Sequence, residues 1–477
     1  MSIIDMFKPM SDIEVEKMMI ELEEEDNLAQ KLYQEMDSDV KNELIEYTLE
    51  ILNELYSQNI NLLHDEGYDD FINSNVKEMV KVQISCIQEY NDPFDGMDEN
   101  IKVIIPEFII SDAERVFYTH VAPRRSYDTT FIRIKPNISQ IENKIEHLKN
   151  KPQPEQRTKE WYEKRHNMIT ASSAGAIFDT QSSKNRLIYE KCKPFSLGKQ
   201  SAGGALGWGI KYEPVSVMFY ENMYSLKVTD FGCIEHDKYT FIGASPDGIV
   251  TSQSSNRYGR MLEIKNPISR NITGSPKKEY WIQMQLQMEV CNLNECDFLE
   301  TKFVEYANEE DFRNDGTFCS TSLGQLKGII LKFLINNEII HEYLQIYSSE
   351  DEYRNFKQCL LNKYGADTYQ GDTYYKLEYY SCILVLRNKD WVKYALPIMK
   401  EIWDTIEKER ISGYQHRAPK QKKKKTTGCL VDMKDFGNKE QQEEITEMFN
   451  TTTPPRLQIR TESIDETLRT IESDIKD

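Results

Sequence analysis

No two of the nine cysteines in this chain stand in C-x-x-C spacing, and the set is odd and scattered. That argues against both a structural zinc site and a disulfide framework, and points to a reducing compartment. Long apolar runs are missing too, so no segment reaches membrane-spanning length. The opening MSIIDMFKPMSD lacks the basic-then-apolar order of a secretory signal. A soluble, intracellular protein is expected. Gly203, Gly204, Gly207 and Gly209 lack phosphate-loop spacing, and no G-K-[ST] follows them. A nucleoside triphosphate loop is therefore excluded. Positive charge is also short, with 59 Lys and Arg against 79 Asp and Glu, a net charge of −20. The deficit is local: residues 1–120 carry about −21 and the remainder about +1. The later part can still hold the basic groove that phosphate binding needs.

What the chain does have is concentrated between Gly243 and Val290. Asp247, in SPDG, follows the alternating run Tyr239, Phe241, Gly243. Glu263 and Lys265 flank Ile264 in a second run, and on a strand residues two apart share a face. If the two runs pair as a hairpin, Asp247 joins them. Two converging carboxylates suit a hard cation such as Mg2+, which prefers oxygen ligands and keeps several waters. A lysine beside that cation would orient or help deprotonate a water for attack on a phosphodiester. Taken separately, E-x-K reads as an ordinary ion pair and S-P-D-G as a turn. Order and company decide between the two.

Residues 1–90 have helical periodicity, with Leu44, Tyr47, Ile51 and Leu55 on one face, and Glu21–Asp26 is an acidic run. NDPFDGMDEN (91–100) predicts a break, and IKVIIPEFII (101–110) a buried strand or a short helix interrupted by Pro106. Beyond the linker-like KPQPEQ, a helix is predicted over Glu155–Arg165, then a Ser/Thr cluster that opens another at Ala174–Phe178. Such a cluster is a natural cap, and it also offers hydroxyls and free N–H groups to a phosphate. Arg165 would add a guanidinium. A glycine-rich turn leads into a helix with Glu213 in its first turns. Strands are predicted at Lys227–His236, Tyr239–Ser245, Arg260–Lys265 and Phe298–Tyr306, with a helix at Lys277–Cys291. A strand pair around Asn336-Asn337 is expected within Gly328–Tyr347.

Five motifs then stand in order: R-x6-S within RHNMITAS (165–172), GWGxxxEP (207–214), SPDG (245–248), EIK (263–265) and YWIQMQLQ (280–287). Together they resemble the lambda-exonuclease-like, YqaJ-type viral recombinase branch of the PD-(D/E)xK nucleases, across roughly Gln153–Tyr306. YYSCILVLRNKDWVKYALPIMKEIW (379–403) resembles that family's closing strand and helix. The resemblance implies an α/β (α+β) restriction-endonuclease-like core, a mixed central sheet flanked by helices. It implies Asp247, Glu263 and the Ile264 carbonyl as metal ligands, with Glu213 as an auxiliary acid that helps hold a second Mg2+ or orients the water. Lys265 would serve the attacking water, Arg165 and Ser172 would hold a 5′-phosphate, and Tyr280, Gln283 and Gln285 would support the site. The implied cofactor is Mg2+, one or two ions, with Mn2+ as a substitute.

The expected organisation is an acidic helical domain over 1–150, a nuclease domain over 151–411 and a tail over 412–477. The tail's basic cluster HRAPKQKKKK (416–425) reads as a nuclear signal or a non-specific DNA contact, and a host cytoplasmic or nuclear location fits a viral source. The leading expectation is a magnesium-dependent 5′→3′ exonuclease on double-stranded DNA ends, working with a single-strand annealing partner, with oligomerisation open. An endonuclease or RNA-degrading variant of the same site is an alternative, as is a non-catalytic scaffold that binds DNA ends.

Overall fold

A computed structural model describes residues 12–91, 99–131, 137–196 and 203–419. The described residues up to Ala418 fall within one compact unit. The expected break at 91–100, most of the basic cluster 416–425 and the acidic tail lie outside the described residues.

The chain opens with α1 (Asp12–Glu35), α2 (Ser38–Gln58), α3 (Tyr68–Asn91) and α4 (Glu99–His120). Next come β1 (Tyr127–Asp128), α5 (Ile138–Asn150), α6 (Lys159–His166), β2 (Ile169–Thr170), α7 (Ala171–Ala174), α8 (Gln181–Cys192) and α9 (Gly204–Tyr224). The centre follows as β3 (Val228–Thr229), β4 (Ile234–Glu235), β5 (Ile242–Ala244), β6 (Gly248–Val250), β7 (Met261–Lys265), α10 (Lys278–Cys291) and β8 (Glu295–Glu305). It closes with α11 (Glu309–Asn314), β9 (Lys327–Ile335), β10 (Glu338–Tyr343), α12 (Glu350–Tyr364), β11 (Tyr369–Leu386) and α13 (Lys389–Ser412).

Among the described residues, the main sheet runs β10-β9-β11-β8-β7-β6-β3, with β1 also on β11. β7 and β8 are parallel, which requires the crossover that α10 supplies; the other pairs are antiparallel. A second, small sheet runs β2-β5-β4. The expected mixed sheet flanked by helices is what forms.

β7 sits between β6 and β8 and is buried on both faces. Met261 joins the core built with Trp281, Met284 and Met288 of α10, while Leu262 and Ile264 pack with Tyr220 of α9. The alternation sends Glu263 to the α10 face. At the start of β7, Arg260 and Arg257 both hold the fully buried Asp297 of β8, which also accepts from Tyr220 at 2.6 Å. That network anchors the strand end remote from Lys265.

Several expectations change in the three-dimensional structure. The run 239–245 does not pair with β7; it lies in the small sheet, and β6, the segment just after Asp247, is the antiparallel partner of β7. Lys227–His236 is likewise split between the two sheets, through β3 and β4. Residues 101–110 are helical inside α4 despite Pro106, because packing on α1, α2 and α3 outweighs one lost backbone bond. The buried face of α2 is Leu44, Thr48, Leu52 and Leu55, with Tyr47 exposed. α9 begins already at Gly204, so Glu213 lies in mid-helix, just before Pro214. The β9–β10 pair forms as expected, since Asn336 (φ 52°) and Asn337 (φ 63°) supply the two left-handed residues of a tight hairpin.

The N-terminal helices pack directly on the closing helix. Tyr56 exchanges hydrogen bonds with Asn388 at 3.2 and 3.0 Å, and Trp391 donates to His64 at 3.1 Å.

Candidate active site

The site is built from β6, β7, α10, α9 and the α6–α7 corner. Asp247 immediately precedes β6, and its Oδ2 accepts the Ile264 N–H at 2.7 Å. Gly248 lets β3 close on β6, because a Cβ there would lie 2.1 Å from Val228 Cγ1. Glu263 is fully buried and every contact on it is a donor. Its Oε1 accepts from the Lys265 ammonium and from Gln283 Nε2 at 2.7 Å, and its Oε2 from Gln287 Nε2 at 2.6 Å. Lys265 lies over the Tyr280 ring, 5.0 Å from its centroid. Glu213 enters from α9 and pairs with Arg157 at 2.9 Å.

These groups line one cavity of about 830 Å3, which also contains Arg165 and Ser172. Arg165 donates to Ser172 Oγ at 2.7 Å and to Ser245 Oγ at 3.2 Å, and it stacks on Trp161 at 4.3 Å. The structure therefore brings Asp247, Glu263, Ile264, Lys265, Glu213, Tyr280, Gln283, Arg165 and Ser172 to a single place.

Gln285 is the exception. It points away, donating to the Leu386 carbonyl at 2.9 Å and accepting the Asn388 N–H at 2.7 Å. Two residues along a helix rotate a side chain by about 200°, so Gln285 cannot face Glu263 together with Gln283 and Gln287. It ties α10 to the β11–α13 junction instead.

Three participants carried no role in the sequence. Gln287 shared the polar side of the helix with Gln283 and needed only the i, i+4 rule to be included. Arg157 and Ser245 had no such signal. Arg157 adopts φ 68°, uncommon for a residue with a side chain, and only the fold aims it at Glu213.

Burial, then repulsion from Glu263 and Glu213, pushes the Asp247 carboxyl well above the ordinary carboxylate range. Glu213 is raised by burial as well, with Arg157 working against the shift. Burial opposes the charge on Lys265, but the Glu263 and Asp247 carboxylates hold it above the ordinary lysine range. Carboxylates that repel one another in a buried place are a natural cation site. No cluster of three or more His, Cys, Asp or Glu side chains suited to a metal occurs among the described residues. The oxygen donors that could hold a cation are Asp247, Glu263 and the adjoining Ile264 carbonyl, with Glu213 lining the same cavity. This all-oxygen set suits Mg2+.

Behind the Arg165 corner, Lys191 donates to the Arg165 carbonyl at 2.6 Å. Burial, then the charges of Arg165 and Arg410, lowers its pKa to about 7. The folded protein thus gives up a proton that the unfolded chain keeps up to about 10.5. This contribution to stability is complete above that value and is lost as pH falls towards 7. Lys191→Met is expected to raise the melting temperature relative to wild type at pH 6 by more than at pH 10. An equal shift at both values would show that Lys191 does not titrate in this way.

Residues 160–294 match the YqaJ-like viral recombinase domain. An uncharacterized protein of Acanthamoeba polyphaga mimivirus is 29% identical over 303 residues, 55% of this chain and 54% of the relative. The chain thus spans about half the length of that curated relative. Among solved structures, an alkaline exonuclease (LHK-Exo) from Laribacter hongkongensis overlaps with TM-score 0.34 at 20% identity, over 54% of this chain and 97% of that one. LHK-Exo in complex with dAMP overlaps with TM-score 0.32 at 19% identity, with the same coverage. The matched domain runs from α6 through α10 and contains the residues gathered around Asp247 and Arg165 except Arg157. Over residues 160–294, this chain is thus similar to the YqaJ-like viral recombinase domain.

Proposed function

We propose that this protein is a divalent-cation-dependent deoxyribonuclease that degrades duplex DNA from 5′-phosphorylated ends. One observation carries the reading: the Asp247–Glu263–Lys265 group shares a cavity with the Arg165–Ser172 pair. The similarity to alkaline exonucleases named above is in keeping with it.

Mg2+, held by Asp247, Glu263 and the Ile264 carbonyl, would supply Lewis-acid stabilisation of the charge that develops on the phosphate. Lys265, kept protonated by its two carboxylate neighbours, acts as a donor that orients the attacking water and counters negative charge. Gln283 and Gln287 fix the rotamer of Glu263. Arg165, already braced by Trp161, Ser172 and Ser245, offers its guanidinium to a terminal phosphate. Such a pocket favours ends over interior positions, and 5′→3′ polarity follows if the terminal 5′-phosphate seats there. The 3′ strand left behind is a substrate for strand annealing, so an annealing partner fits the same proposal. No helix among the described residues is long and apolar enough to cross a membrane.

The test is digestion of end-labelled linear duplex in Mg2+, comparing 5′-phosphate ends, 5′-hydroxyl ends and closed circles. Phosphorylated ends are expected to be degraded at least about tenfold faster than hydroxyl ends, and circles to survive. Arg165→Ala should erase the phosphate preference, since a charge-assisted contact contributes about 1.5–3 kcal/mol. Equal cutting of circles would overturn end recognition.

A further inference from the structure

A second cavity, of about 530 Å3, lies at the other end of the same strands. Arg260, which lines it, precedes β7, whereas Lys265 at the far end of β7 lines the catalytic cavity. Five residues of strand separate the two by about 17 Å. The cavity is therefore not an extension of the catalytic one.

Cations outnumber carboxylates in its wall: Glu295 is paired with Arg260 at 2.9 Å, and Asp390 with Lys393. Lys144 of α5, Arg387 at the end of β11, and Lys389 and Lys393 in the first turns of α13 all face it. Arg387 is committed to Glu289, at 3.0 Å through Nε, and Lys393 to Asp390 at 2.8 Å. Lys144 and Lys389 make no hydrogen bond or ion pair among the described residues. Burial, followed by repulsion from Arg387 and Lys389, lowers the Lys144 pKa. The positive end of the α13 dipole adds to the positive charge of the wall. The remaining wall combines Tyr258 and Ile141 with the amides of Asn137, Gln140 and Asn294.

We infer that this cavity binds a nucleotide through a phosphomonoester, the phosphate seated between Lys144 and Lys389 and the base against Tyr258. Two free ammonium groups match the charge of about −1.5 to −2 on such a phosphate. The volume falls within the usual range for small-molecule sites, and the amides supply donors and acceptors for a base edge. The nucleotide is either free, as an exonuclease product would be, or the phosphorylated terminus of a strand.

The test is titration calorimetry of the full-length protein in EDTA, which removes cleavage from the measurement. The probes are inorganic phosphate, dAMP and a 5′-phosphorylated oligonucleotide. With dAMP, Lys144→Met/Lys389→Met should lose one class of site, weakening its binding at least tenfold, while Arg165→Ala retains that class. Binding by the oligonucleotide that depends on the same pair would assign a strand terminus; binding by dAMP alone would assign the free nucleotide. A single class of site abolished by Arg165→Ala and unaffected at Lys144 and Lys389 would overturn the inference, and so would phosphate binding as tightly as dAMP. If the double variant fails to fold, Lys144→Gln read by the phosphorus resonance of bound dAMP gives the same decision. Because no cleavage is read, failure of the nuclease proposal leaves this result standing.

Discussion

Asp247→Asn is expected to lower cleavage of 5′-phosphorylated linear duplex by about a thousandfold or more, with binding of the same ends in EDTA unchanged. The substitution keeps an acceptor for the Ile264 N–H and removes one of the two carboxylates able to hold a cation. Losing several kcal/mol of charge stabilisation in the transition state corresponds to that factor. Residual activity within tenfold of wild type would exclude Asp247 from the chemistry. A second readout separates chemistry from folding. Burial and the Glu263 and Glu213 charges raise the Asp247 pKa, so the folded protein retains a proton there that the unfolded chain releases near pH 4. That contribution to stability is complete in acid and is lost as pH rises through the raised value. Asparagine has no charge to suppress, so in EDTA at pH 8 the variant should melt above wild type, and added Mg2+ should narrow the gap. A variant less stable than wild type under those conditions would mean that the carboxylates are not in mutual repulsion.

Lys327→Met should be the most damaging substitution outside the site. Lys327 is 1% exposed at the start of β9, and its ammonium donates to the carbonyls of Phe312, Asp315 at 2.5 Å and Thr317 at 2.8 Å. Three donors meet three acceptors, and the Phe312 ring lies 4.2 Å away. Methionine fills the space but leaves three buried carbonyls unpaired, at about 1–3 kcal/mol each where water cannot reach them. A loss of about 3–5 kcal/mol is expected in urea unfolding, with the loss reduced if the 308–326 connection loosens and admits water. A change below about 1 kcal/mol would show that the ammonium does not organise this loop.

Much of the fold and of the site could be read from the residues, for reasons particular to each. The EIK strand, the α10 helix and the Asn336-Asn337 hairpin rest on local rules: side-chain alternation, an apolar stripe at helical spacing and two residues tolerant of positive φ. The candidate residues on β7, α9 and α10 were legible because their chemistry is tied to short motifs in order. Where local rules compete with packing, they failed. Pro106 sits in a helix because the surrounding helices outweigh its cost. Glu213 lies mid-helix because the glycines before it are helical.

By itself, then, the sequence determined the secondary structure around the cavity and singled out the carboxylates and lysine that line it. Tertiary structure alone decided which segment pairs with β7, since β-pairing depends on contacts that sequence separation does not encode. It also aimed Arg157 at Glu213, turned Gln285 away and Gln287 toward Glu263, and placed Lys144 beside Lys389, far along the chain. Each of these depends on where elements meet in space, and no spacing within a single element records that.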